Sequence, residues 1–200
     1  MIYLSNSNFT NQEDIQYFFN AFDSSKLNFL EKYCTTLNYN IQNGNFNYNN
    51  KTEEENPEYI NRKVYSINHI PEELNGFQEE LENYIKIANK TYNFSLDYIL
   101  DLAYIETYEG KHPLDWHTDI GSRYPWNKRK LSFSIIVNDP KEYEGGILEI
   151  NNGSGNGIIV PPNNKGSLIF FPSFMLHRVT TVTKGVRKSI VGFIGGEPYR

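Results

Sequence analysis

The feature that most constrains the fold is a series of short apolar segments in the second half of the chain. In residues 131–137, Leu131, Phe133 and Ile135 alternate with serines, which is the period of two that places successive side chains on opposite faces of a strand. Turn-forming residues separate the segments, and twelve of the 14 glycines lie after residue 100. The candidate strands are residues 98–109, 114–118, 131–137, 147–150, 158–160, 168–171, 175–180 and 186–194. Short strands with short connections predict a closed sandwich or barrel, including the double-stranded β-helix, or jelly-roll, class.

The first half of the chain has the periodicity of helices. Apolar stripes with helical spacing occupy residues 15–22, 27–37 and 74–88. Thr10 and Glu13 resemble a capping box before the first stripe, and Ser24 or Ser25 would cap the second. The Asn-rich segment 38–56 predicts a loop. We therefore expect an α+β, mainly β fold in one domain of residues 1–200, in which a mainly helical layer (1–97) packs on one face of a β core (98–195).

Composition restricts the class of partner. The formal net charge of -5 disfavours a general nucleic-acid binder, which needs a basic surface. No apolar run approaches the ~18 residues of a membrane span, so we expect no membrane partner. Cys34 is the only cysteine and has no internal disulfide partner, which predicts a reducing, cytoplasmic location. Nothing in the sequence predicts the oligomeric state.

His117 and Asp119 form a His-x-Asp pair in a segment predicted to be extended. On a strand, residues two apart point to the same side, so the imidazole and the carboxylate can reach one metal ion. A simple hydrogen bond between the two at a strand end explains the pair equally well. Neither His69 nor His112 has a carboxylate two residues away.

A third candidate ligand follows about sixty residues later. His177 lies in an apolar predicted strand, where its ring nitrogens need partners. Two histidines and one carboxylate make the facial triad of non-haem Fe(II) oxygenases, which leaves metal positions open. Arg187 and Ser189 come ten and twelve residues after His177 and share one face of a strand. A guanidinium with a neighbouring hydroxyl suits a carboxylate ligand.

The order of these motifs resembles the Fe(II)/2-oxoglutarate-dependent dioxygenases, and in particular their prolyl 4-hydroxylase-like members. Three supporting motifs are similar as well: Tyr108-Glu109-Gly110 before the His-x-Asp pair, the Gly145-Gly146-Ile147-Leu148 turn, and Phe171-Pro172-Ser173 before the distal histidine. The resemblance covers residues 98–195. Collagen-type prolyl hydroxylases have Lys where this chain has Arg187, so the likeness is to the bacterial, viral or phage, and oxygen-sensing branches.

The resemblance implies a role for each matching residue. His117, Asp119 and His177 are expected to bind Fe(II), and Arg187, helped by Ser189, to bind the far carboxylate of 2-oxoglutarate. Tyr108 is expected to hydrogen-bond this cosubstrate. The implied reaction consumes O2, releases succinate and CO2, and hydroxylates an amino-acid residue, for example a prolyl residue, or a small molecule. Related halogenases lack the carboxylate ligand, so Asp119 favours hydroxylation.

Two alternatives remain open from the residues alone. A zinc-dependent hydrolase uses a similar triad with a nearby acid or base, for which Glu106 is the candidate, but it leaves Arg187 and Ser189 without a role. A cupin-like binding module without turnover is the other alternative. It is disfavoured because this chain keeps all three metal ligands and the arginine.

The segment after Asp119 is the candidate for contact with the primary substrate, which is a peptide, a protein or a small molecule. It contains Arg123, Tyr124 and Trp126, residue types that dominate binding hot spots. Gly121 and Pro125 predict a shaped loop rather than a regular element. The same aromatic side chains would equally suit a loop that only packs onto the β core.

Overall fold

The computed structural model describes residues 15–43, 46–48, 62–110, 113–153 and 157–198. Two helices, α1 (Ser24–Cys34) and α2 (Asn75–Tyr92), carry the apolar stripes predicted for them. The strands are β1 (Gln16–Phe18), β2 (Tyr39–Asn43), β3 (Phe46–Tyr48), β4 (Arg62–Ser66), β5 (Tyr98–Tyr108), β6 (Leu114–His117), β7 (Arg129–Ile136), β8 (Tyr143–Gly145), β9 (Leu148–Asn151), β10 (Ile158–Ile159), β11 (Leu168–Pro172), β12 (His177–Val179) and β13 (Val182–Gly195). Short 3-10 turns occupy Glu72–Leu74, Trp126–Lys128 and Pro140–Glu142.

The strands form two antiparallel sheets. Within the described residues, the larger sheet has the order β1-β11-β7-β13-β5-β4-β2-β3, with β8 paired to β13, and the smaller sheet has the order β10-β9-β12-β6. Ile136, Ile150 and Phe171 belong to a buried cluster to which both sheets contribute. This arrangement confirms the predicted α+β, mainly β fold class with helices on one face.

The second and larger core lies between the helices and the outer face of the larger sheet. Leu27 and Leu30 of α1 and Phe77 and Leu81 of α2 are fully or almost fully buried there, together with Tyr104 of β5. Helix α1 begins after Asp23, whose carboxylate accepts hydrogen bonds from the backbone N–H groups of residues 25 and 26 at 2.8 and 2.9 Å. The cap is therefore Asp23, one residue before the predicted serines, because its side chain satisfies two of the unpaired N–H groups of the first turn.

The prediction of a helix over residues 15–22 is wrong. Residues Gln16–Phe18 instead form β1, which pairs antiparallel with β11. This pairing buries Ile15 among the inter-sheet residues and places Phe18 against Tyr84 and Phe170, while Phe19 is exposed. Sheet hydrogen bonds at an available strand edge therefore outweigh the helical spacing of the apolar residues. The predicted capping box at Thr10 and Glu13 lies outside the described residues.

The part of the chain before residue 98 also contributes strands that were not predicted. Strands β2 and β3 form within the predicted loop 38–56, of which residues 44–45 and 49–56 lie outside the described part. Strand β4 pairs with both β2 and β5, so the larger sheet continues across the predicted boundary at residue 97. Neither described helix is long and apolar enough to cross a membrane.

Candidate metal centre

The pairing of β6 with β12 in the smaller sheet brings His117, Asp119 and His177 together. His117 is the last residue of β6, His177 is the first residue of β12, and the two are direct partners in the antiparallel pairing of these strands. Asp119 follows β6 by two residues, and its carboxylate lies 3.7 Å from His117 Nε2 and 3.4 Å from His177 Nε2. The three ligand atoms lie within 4.8 Å of one another.

The second nitrogen of each imidazole fixes which atom faces the centre. His117 Nδ1 lies 2.6 Å from the backbone oxygen of Asp115, and His177 Nδ1 lies 2.9 Å from that of Met175. A carbonyl oxygen only accepts, so each Nδ1–H donates and each Nε2 keeps its lone pair toward Asp119. Two imidazole nitrogens and one carboxylate oxygen on one side of a centre fit a divalent iron ion with open positions.

Burial favours the ligating form of His177. This side chain is buried, and desolvation lowers its pKa, an effect that the Asp119 charge opposes in part. The imidazole therefore stays neutral near neutral pH, as a metal ligand requires.

Two serines support the carboxylate ligand. The Ser132 hydroxyl donates to Asp119 Oδ2 at 2.7 Å and shares a second hydrogen bond of 2.9 Å with the Ser173 hydroxyl. The backbone oxygen of Ser173 accepts from the N–H of Asp119 at 2.9 Å. The sequence alone did not identify Ser132 as a supporting residue. The only feature that could have indicated this role is its place as a polar residue on a predicted strand whose other face is apolar.

A cavity of about 670 Å³ opens beside the three candidate ligands, between the two sheets. Along β5 and β13 the pleat decides which residues reach it, because alternate positions of these strands line the cavity. From β5 these are residues 101, 103, 105 and 107, and from β13 residues 187, 189, 191 and 193. Residues 132–134 of β7 line it as well. Arg187 and Ser189 therefore lie in the same cavity as the three candidate ligands.

Arg187 is a buried cation. Its Nη1 donates to Ser189 Oγ at 2.9 Å, while its Nε–H has no acceptor. In the described part of the chain, no carboxylate forms an ion pair with Arg187. Burial lowers the pKa of the guanidinium, which nevertheless remains charged, as arginine does in proteins. A buried charge that faces a cavity without a counter-ion points to an anionic ligand.

The structure does not bring Tyr108 to this cavity, contrary to the role expected for it. Tyr108 has the opposite parity to the cavity-lining residues of β5, and its hydroxyl donates to Glu106 Oε2 at 2.6 Å on the other face of the sheet. Glu106 also accepts from Tyr65 and Tyr104. The acid–base residue that the zinc hydrolase alternative needs therefore lies away from the candidate ligands as well.

The predicted substrate loop is only partly at the cavity. Trp126 lines it, 49% exposed, together with Ile120 and Gly121. Arg123 and Tyr124 are exposed, Tyr124 by 68%, and neither lines the cavity.

A salt bridge that was not predicted from the sequence lines the cavity near Asp119. Arg129 pairs with Asp101 at 2.7 Å, stacks 3.6 Å above the ring centre of Phe193, and donates to the backbone oxygen of Asp119 at 3.3 Å. Arg129 thereby ties the Asp119 backbone to the larger sheet.

Comparison with protein families agrees with this arrangement. Residues 103–195 match the model of the 2OG-Fe(II) oxygenase superfamily. A PKHD-type hydroxylase of Aliarcobacter butzleri is 32% identical over 146 residues, covering 64% of each chain. The PKHD-type hydroxylase YbiX of Escherichia coli is 31% identical over 116 residues (56% of this chain, 51% of YbiX), and a Thermosynechococcus vestitus relative is 41% identical over 81 residues (39% and 35%). The chain thus spans 35% to 64% of the length of these curated relatives.

Solved structures share the fold. A Pseudomonas putida prolyl-4-hydroxylase superposes with a TM-score of 0.64 at 14% identity, over 92% of this chain and 93% of that one. A Trichoplax adhaerens prolyl hydroxylase, solved with a peptide fragment of the hypoxia inducible factor oxygen degradation domain, superposes with a TM-score of 0.70 at 14% identity, over 92% and 84%. These likenesses confirm the double-stranded β-helix for the core.

Proposed function

We propose that this chain, whose residues 103–195 match the model of the 2OG-Fe(II) oxygenase superfamily, is an Fe(II)- and 2-oxoglutarate-dependent hydroxylase. The observation that carries the proposal is the pairing of two features in one cavity. One is a side-by-side set of two imidazole nitrogens and a carboxylate, and the other is the buried Arg187 guanidinium without a described counter-ion. A 2-oxo diacid such as 2-oxoglutarate fits both features, because its 2-oxo acid end can bind a metal ion and its second carboxylate can pair with an arginine.

In this proposal His117, Asp119 and His177 hold Fe(II), and Arg187 with Ser189 holds the far carboxylate of 2-oxoglutarate. When bound, the iron supplies the redox chemistry that couples oxidative decarboxylation of 2-oxoglutarate by O2, to succinate and CO2, with hydroxylation of a substrate C–H bond. Three protein ligands leave room for the cosubstrate and O2. The carboxylate of Asp119 favours hydroxylation over halide transfer, as the family resemblance implies.

The chain's own residues prepare the site in three ways. Hydrogen bonds at both Nδ1 atoms aim the imidazoles, and the Ser132 hydroxyl orients the Asp119 carboxylate. Apolar cavity walls, among them Ile105 and Val191, limit water around the reacting groups. Arg187 holds a permanent positive charge toward the cavity, which selects a cosubstrate with a second negative charge.

The primary substrate of the proposed reaction is an amino-acid residue of a peptide or protein, or a small molecule. Trp126 supports contact with it, because its ring lies at the cavity and is half exposed. The Trichoplax adhaerens prolyl hydroxylase, which has a similar fold, was solved with a bound peptide, and this favours a peptide among the candidate substrates. Contacts of Arg123 and Tyr124 with the substrate, and the cytoplasmic location, stay predictions. No comparison favours a zinc hydrolase or a binding module without turnover.

Anaerobic titration tests the cosubstrate assignment directly. Fe(II) plus 2-oxoglutarate is expected to give a weak visible charge-transfer band in the wild-type protein, and the band is expected to need a much higher 2-oxoglutarate concentration in Arg187→Met. Lys188→Met is the matched control, because Lys188 is the next residue on β13 but pairs with Glu31 on the helix-facing side. Absence of the band in the wild-type protein contradicts the proposal, as does an unchanged titration in Arg187→Met.

A further inference from the structure

Arg62 is a second buried arginine at the cavity, and the sequence alone predicted no role for it. It is the first residue of β4, it is 6% exposed, and it lines the cavity together with Val64, the next residue on the same face of that strand. Strand β4 lies before residue 98, in the part of the chain that was expected to be mainly helical. The cavity wall therefore continues from the predicted β core into β4.

The pairing of three strands places Arg62 in one row with Arg187. Arg62 is the direct partner of Thr107 where β4 pairs with β5, and Thr107 is the direct partner of Arg187 where β5 pairs with β13. Directly paired residues of neighbouring strands point to the same face of a sheet, and all three of these residues line the cavity. Because neighbouring strands lie about 4.8 Å apart, the Cα atoms of the two arginines are separated by roughly 10 Å. Two long side chains can converge on one ligand across this distance.

The two arginines give one end of the cavity a strongly basic character. Among the described residues that line the cavity, the carboxylates are those of Asp101 and Asp119. Asp101 lies at the opposite end of β5 from Thr107 and pairs with Arg129. Asp119 bonds to Ser132, which lies in the same part of the cavity as Asp101. The carboxylates therefore lie toward one end of the cavity, and the guanidinium groups of Arg62 and Arg187 lie at the other.

Both of these guanidinium groups are charged at neutral pH. Burial, with a smaller contribution from the Arg187 charge, lowers the pKa of Arg62 to about 10, which leaves it protonated. Two like charges in one buried cavity repel each other, and an anion between them offsets this repulsion because it attracts both. A carboxylate has two oxygens and can accept hydrogen bonds from two guanidinium groups at once.

We propose that Arg62 is a specificity-determining residue that joins Arg187 at the far carboxylate of 2-oxoglutarate, and thereby strengthens the preference of the site for a 2-oxo diacid over a 2-oxo monoacid. The inference rests on the proposed function, because it assumes that Arg187 meets that carboxylate. The row that joins Arg62, Thr107 and Arg187 across the sheet carries it, together with the place of all three in the cavity. The charge of Arg62, and not only its volume, is then needed for the preference.

Calorimetry on the Mn(II)-loaded protein tests this role without turnover. The two ligands are 2-oxoglutarate and 2-oxopentanoate, which has the same chain length but no far carboxylate. In Arg62→Met we expect the dissociation constant of 2-oxoglutarate to rise about tenfold, the size of one lost hydrogen bond between charged groups. The dissociation constant of 2-oxopentanoate is expected to stay within about twofold, because this ligand has no charge at that end to lose a partner. Arg62→Lys is expected to keep part of the preference, because lysine retains the charge but not the planar fork.

Lys63→Met is the matched control. It also removes one positive charge from β4, but Lys63 lies over the rings of Tyr39 and Tyr108, 4.8 and 5.5 Å from their centres, on the face away from the cavity. Both dissociation constants are expected to match those of the wild-type protein. A double variant gives a second test. Arg187→Met alone is expected to keep a residual preference for 2-oxoglutarate, and adding Arg62→Met is expected to remove it.

The outcomes separate this inference from the function on which it rests. If the wild-type protein binds both ligands equally, the proposed role of Arg187 fails. If the wild-type protein prefers 2-oxoglutarate and Arg62→Met keeps the whole preference, the role of Arg62 alone is overturned. Equal weakening of both ligands in Arg62→Met, or the same loss in Lys63→Met, also overturns it. If Arg62→Met does not fold, Arg62→Gln removes the same charge with a polar side chain and carries the same expectation.

Discussion

Replacing Ser132 by alanine is expected to weaken metal binding although Ser132 is not a candidate ligand. The Ser132 hydroxyl is the donor that holds Asp119 Oδ2, at 2.7 Å, and the carboxylate side chain is only 10% exposed. Without this donor the carboxylate gains rotational freedom and loses the group that fixes its orientation toward the two imidazoles. The metal must then supply the free energy needed to order it.

The magnitude follows from the geometry. A short O–H···O⁻ bond to a charged acceptor contributes roughly 1.5–3 kcal/mol, which corresponds to about a 10- to 150-fold change in affinity. Water can replace part of the lost bond because Asp119 is not fully enclosed, so the lower end applies. Supporting residues of this kind typically change metal affinity by about 10- to 100-fold. We therefore expect the metal dissociation constant of Ser132→Ala to rise about tenfold.

The assay is an anaerobic competition titration with Fe(II) or Co(II), carried out beside Ser134→Ala. Ser134 lies on the same strand and lines the same cavity, and no hydrogen bond links it to Asp119. Ser134→Ala is expected to bind metal like the wild-type protein. Thermal unfolding of both metal-free variants measures any loss of stability separately, since Ser132→Ala also removes a partner of the Ser173 hydroxyl. An unchanged affinity in Ser132→Ala, or an equal loss in Ser134→Ala, would refute the reasoning.

Three further predictions address other parts of the molecule. Trp126→Ala is expected to reduce substrate-dependent turnover while slow uncoupled succinate release continues, and equal loss of both in a succinate assay would indicate a structural role instead. Leu81→Ala is expected to lower the free energy of unfolding by about 2–5 kcal/mol in urea titration, because Leu81 of α2 is fully buried in the larger core, and a change below about 1 kcal/mol would contradict its place there. Burial raises the pKa of the Cys34 thiol to about 12, so a thiol reagent at pH 8 is expected to label it only after unfolding, and rapid labelling of the native protein would refute this. Because the unfolded thiol ionises near its ordinary 9.0 and the native one does not, this group also lowers stability as pH rises through that range.

The candidate ligands were predictable because their signal is local. His117 and Asp119 are two residues apart on an extended segment, and His177 is the polar exception in an apolar strand. Arg187 and Ser189 share a strand face for the same reason of period two. The order of the motifs along the chain became informative only through the family resemblance, because no single spacing is specific to the family.

The predictions that were wrong concern residues whose structure depends on contacts between distant segments of the chain. Residues 15–22 have helical spacing, yet the free edge of β11 decides that Gln16–Phe18 is a strand. Local propensity is a weak prior when tertiary hydrogen bonds compete with it.

Tyr108 and Ser132 show what the sequence alone does not determine. Alternation along β7 was readable, and the strand period of two determined which residues of β5 and of β7 share a face. It did not determine which face meets the second sheet and which meets the helices. That choice belongs to packing: α1 and α2 bury Tyr104 and its neighbours on one side, and this turns Tyr108 away from the cavity and Ser132 into it. The sequence therefore determined most of the strands after residue 98, the spacing of the candidate ligands and the strand face that Arg187 shares with Ser189. The tertiary structure alone decided the supporting contact from Ser132 to Asp119, because it joins two segments that only folding brings into contact.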